Sequence, residues 1–216
     1  AGGGTTLLTG AVNTDGATGV ALTTSVITAN NTITTTNAGT VTFTNAGLLT
    51  LNGNITSDGA VVQNGAGATS ITSPRTITTT GDAVSFATGV TLNGAGTTSI
   101  NTTSGSATGA NVTFSSTLTG TTTDVEHLTV NAGSGGNVLF TGAVGGTRLG
   151  DIVITNANNV TESAGVTAKS LTQSAGGGTT LLTGAVNTDG ATGVALTTSV
   201  ITANNTITTT NAGTVT

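Results

Sequence analysis

Two nested periods govern what this chain can fold into. Residues 1–42 return without a substitution as residues 175–216. Between the copies runs a looser rhythm of short apolar runs. They are Val20-Ala-Leu22, Val41-Thr-Phe43, Val61-Val-Gln63, Val84-Ser-Phe86, Val112-Thr-Phe114, Leu128-Thr-Val130, Ile152-Val-Ile154, Leu171-Thr-Gln173 and Val194-Ala-Leu196. Eight steps carry Val20 to Val194, so 174 residues divide into units averaging just under 22. A repeat of that length is a stacking unit, because a single copy cannot bury its own apolar face and needs neighbours above and below.

Within a unit the pattern alternates with the period of two that a pleated strand requires. Stretches such as VALTTSVITA (20–29) and VTFTN (41–45) are rich in the β-branched residues that suit extended backbone. Turn residues divide them: NAG recurs at 37–39, 45–47, 131–133 and 211–213, and NGAG at 64–67 and 93–96. Gly permits positive φ, and Asn and Asp tolerate the left-handed region. There is no sustained 3.6-residue stripe and little Glu, Lys or Arg, so helices are not expected.

Three short strands and three turns in about 22 residues make one coil of a parallel β-solenoid. Coils stack at roughly 4.8 Å. The expected fold is all-β, one continuous solenoid over residues 1–216, with the long repeat at 1–174 and its next copy beginning at 175. Val20, Val41, Val84, Val112, Leu128 and Ile152 are expected to stack as one interior column. Leu22, Phe43, Phe86, Phe114, Val130 and Ile154 are expected to form its neighbour, with Thr, Ser and Asn outward. Nothing resembles a capping segment, and the final TTTNAGTVT reads as the opening of another coil. The chain is therefore expected to be a window on a longer periodic array.

Composition narrows the partners. Charged residues are 5%, the formal net charge is −5, and the only basic residues besides His127 are Arg75, Arg148 and Lys169. Nucleic acid is not an expected partner, because neutralising phosphates takes a basic surface. Docking on anionic lipid is disfavoured for the same reason. No apolar run reaches the length of a membrane helix, so membrane insertion is not expected. With no Cys, disulfides and thiolate metal sites are excluded.

Chemistry is scarce. The acids are Asp15, Asp58, Asp82, Asp124, Glu126, Asp151, Glu162 and Asp189, and the lone histidine is His127. They cluster only in DVEH, 124–127. On a regular strand Asp124 and Glu126 share one face and His127 the other, which suits neither a metal nor an acid–base pair and reads as a solvated turn. The turns TDGA (14–17, 188–191), SDGA (57–60) and GDA (81–83) lack the tight spacing of a calcium β-roll, so these Asp residues read as turn formers. AGGGTT neither opens a helix nor carries a phosphate-binding lysine. No catalytic, cofactor-binding or metal-ligating set is expected, and the chain is read as a non-enzyme. Asn-x-Thr sequons stand at Asn30, Asn54, Asn101, Asn111, Asn159 and Asn204, as expected by chance in so Asn- and Thr-rich a chain. TITTT at 32–36, 76–80 and 206–210 would place Thr ladders on a flat face, the presentation an ice-binding surface uses, but unequal coil lengths are expected to disrupt the lattice.

NVTFSSTLTGTTTDVEHLTVNAGSGGNVLFTGAVGG (111–146) and LGDIVITNANNVTESAGV (149–166) resemble the shafts of filamentous-haemagglutinin-like exoproteins and giant bacterial surface adhesins. The likeness is one of style and covers essentially the whole chain. It implies a right-handed β-helix at the bacterial cell surface, serving as an extracellular stalk or fibre. The partners it implies are copies of itself, end to end or side by side, or further repeats of one giant chain. The alternative is an adhesive module for surface glycans, with the loops TSPRTI (72–77) and TSGSATGA (103–110) as contact points.

Overall fold

A computed structural model describes residues 2–216. Among them it shows no helix and 25 strands, all joined in parallel pairs. They wind as a parallel β-solenoid of about 9 turns with roughly 22 residues per coil. The rise of roughly 4.8 Å per turn gives a rod about 43 Å long. The coil length and three-strand turn read from the sequence are both observed.

Each turn crosses three faces. Face I begins with residues 20–24 and continues through 41–45, 61–63, 84–86, 112–114, 138–140 and 160–162. Face II begins with residues 5–8, below 26–29, and face III with residues 12–14, below 33–35. Side chains alternate in and out along every face, so each sends two columns inward. On face I one column is Val20, Val41, Val61, Val84, Val112, Val138 and Val160, all buried. The other is Leu22, Phe43, Gln63, Phe86, Phe114, Phe140, Glu162 and Leu182. All four Phe therefore share one column. Phe86, Phe114 and Phe140 stack as near-parallel rings with centroids 5.5 and 5.3 Å apart.

Two assignments change. Leu128 and Ile152 do not continue the Val column, and Val130 and Ile154 do not continue the Phe column. Leu128 pairs with Ile152, and Val130 with Ile154, on face III. The rung above Val112 is Val138, reached through the long corner 131–137. Runs of the form apolar–Thr–apolar look alike on all three faces, so alternation alone cannot say which face a run occupies. The short step from Val112 to Leu128 was the clue, since 16 residues span two faces rather than three.

This changes how the 42-residue block sits. Val12 lies on face III, but its counterpart Val186 pairs with Val166 on face II. Val20 lies on face I, and its counterpart Val194 pairs with Leu171 on face III. From Val12 to Val186 the chain advances twenty strands, three of which (Val20–Ala29, Val144–Asn156 and Val166–Gln173) turn a corner and serve two faces. That makes 23 faces, one short of eight turns. The second copy is thus rotated by one face relative to the first.

The block's strand pairings recur in both copies, although Thr24 Oγ1 donates to the Val26 carbonyl and its counterpart Thr198 Oγ1 to that of Gly178. Thr6 pairs with Ile27 as Thr180 does with Ile201, and Val12 with Ile33 as Val186 does with Ile207. Asn37 Nδ2 donates to the Asp15 carbonyl as Asn211 Nδ2 does to that of Asp189. The Asn-Ala pairs 37–38 and 211–212 all have positive φ. The block is a self-consistent pair of coils that docks on more than one face of the prism.

The interior is less apolar than the sequence suggests. Thr35 and Ser57 point inward on face III and hydrogen-bond at 3.1 Å. At the corner of faces I and II, buried Gln63 donates to Asn45 Oδ1 (2.9 Å), and Asn45 Nδ2 donates to the carbonyls of Gly47 and Gly67. These amides satisfy the carbonyls that a tight corner turns inward. Gly67 is required there: a Cβ would lie 1.6 Å from the Gly47 carbonyl oxygen.

Candidate functional site

Ionisable groups gather along one side of the rod, where faces II and III meet. Asp124 and His127 contribute from one coil, Arg148 and Asp151 from the next, Lys169 from the one above, and Asp189 from the second block. Arg148 Nε lies 3.5 Å from Asp189 and 3.9 Å from Asp124, and Nη1 donates to the Ala168 carbonyl at 3.3 Å. One guanidinium therefore links its own coil to three others and fastens the second block to the coils below it. Burial and then the neighbouring Asp189 charge raise the Asp124 pKa, with Arg148 and Lys169 opposing.

Only the first half of DVEH is the turn expected from the sequence: Asp124 and Val125 lie in a half-buried turn, while Glu126 and His127 open a strand. Asp124 has φ +65°, which breaks the two-residue alternation and puts it at the outer corner. Glu126 then opens its strand pointing into the core, fully buried. Its carboxylate accepts from Thr121 Oγ1 at 2.6 Å and the Thr122 N–H at 3.1 Å, so both oxygens are satisfied. His127 faces outward. Its Nδ1 accepts the Asp151 N–H at 2.8 Å, which leaves the proton on Nε2. Asp151 Oδ2 is 3.4 Å from that nitrogen, and Asp151 Oδ1 accepts from buried Ser170 at 2.7 Å. The carboxylate stands between hydroxyl and imidazole. A nucleophilic triad needs the imidazole in the middle, where it can take the hydroxyl proton. Among the described residues no three His, Asp or Glu side chains converge as a metal set.

Glu162 was not singled out by the sequence reading. It occupies a Phe position in the face I column, 2% exposed, between Phe140 and Leu182. Oε2 accepts from the Gly184 N–H at 3.3 Å, while Oε1 has no hydrogen-bond partner. Burial raises its pKa to about 7. The register of Val160-Thr-Glu162 with Val138-Leu-Phe140 was the available signal.

The turn acids hold corners. Asp58 accepts from the Ala38 N–H at 2.8 Å and from Thr80 Oγ1 at 2.7 Å, and these bonds hold its pKa below the usual carboxylate value. Outside, Asn111, Asn137 and Asn159 form an amide ladder: Asn137 N–H donates to Asn111 Oδ1 (2.9 Å), and Asn159 Nδ2 to Asn137 Oδ1 (2.9 Å). Five of the six sequon asparagines (Asn30, Asn54, Asn101, Asn111 and Asn159) thus hold side-chain hydrogen bonds within the rod. On face II, Thr28, Thr50, Ser70, Thr91 and Thr119 occupy successive rungs in unbroken register. Unequal coil length does not disrupt this ladder, because extra residues bulge at the corners. The widest bulge is 103–110, closed at its base where Thr102 Oγ1 accepts the Ala110 N–H at 3.0 Å. At the other predicted contact loop, Ser73 is buried and bonded to Thr98 at 2.8 Å, while Pro74 is exposed.

No family model matches the chain, and no curated protein or solved structure matches it.

Proposed function

We propose that this chain is a non-enzymatic structural module, a rigid segment of an extracellular fibre or stalk at the bacterial cell surface. The observation that carries the reading is the ladder itself. Parallel pairing runs from residues 5–8 to 207–209 through every turn, and corner irregularities leave it intact. Such a ladder resists bending and offers a protease few loose loops. A block whose internal strand pairings recur at two places suits a rod lengthened by repetition. Its partners are then further repeats of the same chain, or other copies meeting it end to end or along a face. Electron microscopy of the native assembly tests this: straight, thin filaments are expected, and isolated globular particles would refute it.

A second reading, adhesion, is favoured by the Asn111–Asn137–Asn159 and Thr28–Thr119 ladders. They present hydroxyls and amides at one rung spacing on nearly uncharged faces. That suits a flat, uncharged, periodic partner such as a surface glycan or an ice plane. Binding to a glycan array that disappears when loops 72–77 and 103–110 are replaced would support adhesion. Thermal hysteresis in the purified protein would select ice instead.

A further inference from the structure

We propose that Glu162 is a proton-operated joint: protonated, it holds the second 42-residue block firmly on the coils beneath, and ionised, it loosens that block while the rest of the rod stays folded. The proposal does not depend on the fibre reading.

Four observations converge on this residue. Glu162 lies within the prism, where its neighbours in the column are Phe140 and Leu182. It lines an interior cavity of about 10 Å³, room for about one water centre. The cavity wall is otherwise apolar except for Gln173 and Thr180, which bond to each other through Thr180 Oγ1 and Gln173 Oε1. Thr180, Leu182 and the Gly184 N–H that meets Oε2 all belong to the second block. The carboxyl is thus, with the Gln173–Thr180 pair, one of two buried polar contacts at the seam where the block begins.

Comparison with Glu126 shows what is missing. That buried acid has a donor for each oxygen. Glu162 has the backbone N–H groups of Gly184 and Ala164 beside its carboxylate, but Oε1 makes no hydrogen bond, in a space too small for a hydration shell. An ionised carboxylate there loses its water without replacement, whereas a protonated one carries no charge and brings its own donor. No second titratable side chain lines the cavity to share the charge. The charged groups on adjoining strands, Arg148 and Asp151 on one and Lys169 on the next, lie on the outer side.

The sign follows from burial. The ordinary value of the group is 4.5 and the folded value about 7. Between these the folded block keeps a proton that the opened block releases. The stabilisation is therefore complete below pH 4.5 and is lost as pH rises through about 7.

Amide hydrogen exchange between pH 4.5 and 8.5, corrected for intrinsic rates, tests the joint, with a Glu162 side-chain carbon titration alongside. Protection of amides 179–188 should fall roughly tenfold or more across this range, while amides 41–63 stay constant. In Glu162→Gln, which is uncharged at every pH, protection at the seam should be flat. Constant protection in the natural protein, an equal fall in Glu162→Gln, or a carboxyl titrating near 4.5 would each overturn the proposal. If Glu162→Gln does not fold, the exchange profile and titration of the natural protein decide it.

Discussion

Single residues in this rod are constrained chiefly by what the corners demand. Ala38 and Ala212 sit at φ 60° and 61°, where a Cβ crowds the following carbonyl and costs roughly 1–2 kcal/mol. Both are exposed and use no side-chain contact that glycine would forfeit. Ala38→Gly should therefore stabilise the rod by up to about 1 kcal/mol, after the extra freedom of glycine in the unfolded chain is counted. A higher Tm than the natural protein's would show it. Asp58 gives the opposite kind of prediction. Its depressed pKa means that its two hydrogen bonds support the fold above the ordinary carboxylate value and are lost as pH falls below it. Asp58→Asn should lower stability at pH 6 and narrow the gap between the variants at pH 3, as urea titrations at the two values can measure. That Asp58 forms a turn was legible, because SDGA is turn chemistry wherever it occurs. That Glu126 and Glu162 are buried was not. An acid in an alternating Thr-rich run reads as outward, and its true direction depends on a positive φ at Asp124 in one case and on the register of the face in the other.

Strands and corners divide the labour between them. Strands carry the register, and corners absorb the irregular coil lengths, which is why hydroxyl ladders survive on face II. The Phe column stacks three rings, Phe86, Phe114 and Phe140, at centroid spacings of 5.5 and 5.3 Å. Phe114 is stacked on both sides, by Phe86 and Phe140, and buried. Phe114→Ala should cost about 3–5 kcal/mol. A calorimetric loss below 1 kcal/mol would mean that the column is not continuous. At a corner, Gly67→Ala places a methyl against the Gly47 carbonyl and should force the corner open. Exchange protection should fall locally at 45–49 and 67–69, and unchanged protection there would refute the close approach. The column of Val20, Val41, Val84 and Val112 was legible because these runs are full coils apart. The continuation through Leu128 and Ile152 failed because the prism has three chemically similar walls. A period of about 22 gives the coil, but only a step that is not close to a coil length reveals a change of face.

For the whole molecule, the decisive quantity is the ratio of the long repeat to the coil. The repeat takes 174 residues and 23 faces, so it advances seven and two-thirds turns, roughly 37 Å at the strand spacing. An identical block therefore cannot return to the same side of the rod after one period. Docking tolerates this because the strand pairings between the block's two coils recur, while Arg148 of the coils beneath reaches Asp189 of the second copy. In a protein made of tandem 174-residue periods, each feature of the block turns by a third of a revolution per period and regains its face after three, about 110 Å along the axis. Any sticky surface carried by the block would be spread over all three sides, which favours isotropic packing of rods over one-sided sheets. The sequence contains no Cys, so a single Thr34→Cys in each period gives one thiol per block. Gold labels on a chain of four periods should appear in electron micrographs staggered around the rod, with alignment recurring near 110 Å. Labels in one straight row about 37 Å apart would mean that the period contains a whole number of turns, and that the one-face rotation between the blocks at 1–42 and 175–216 does not propagate.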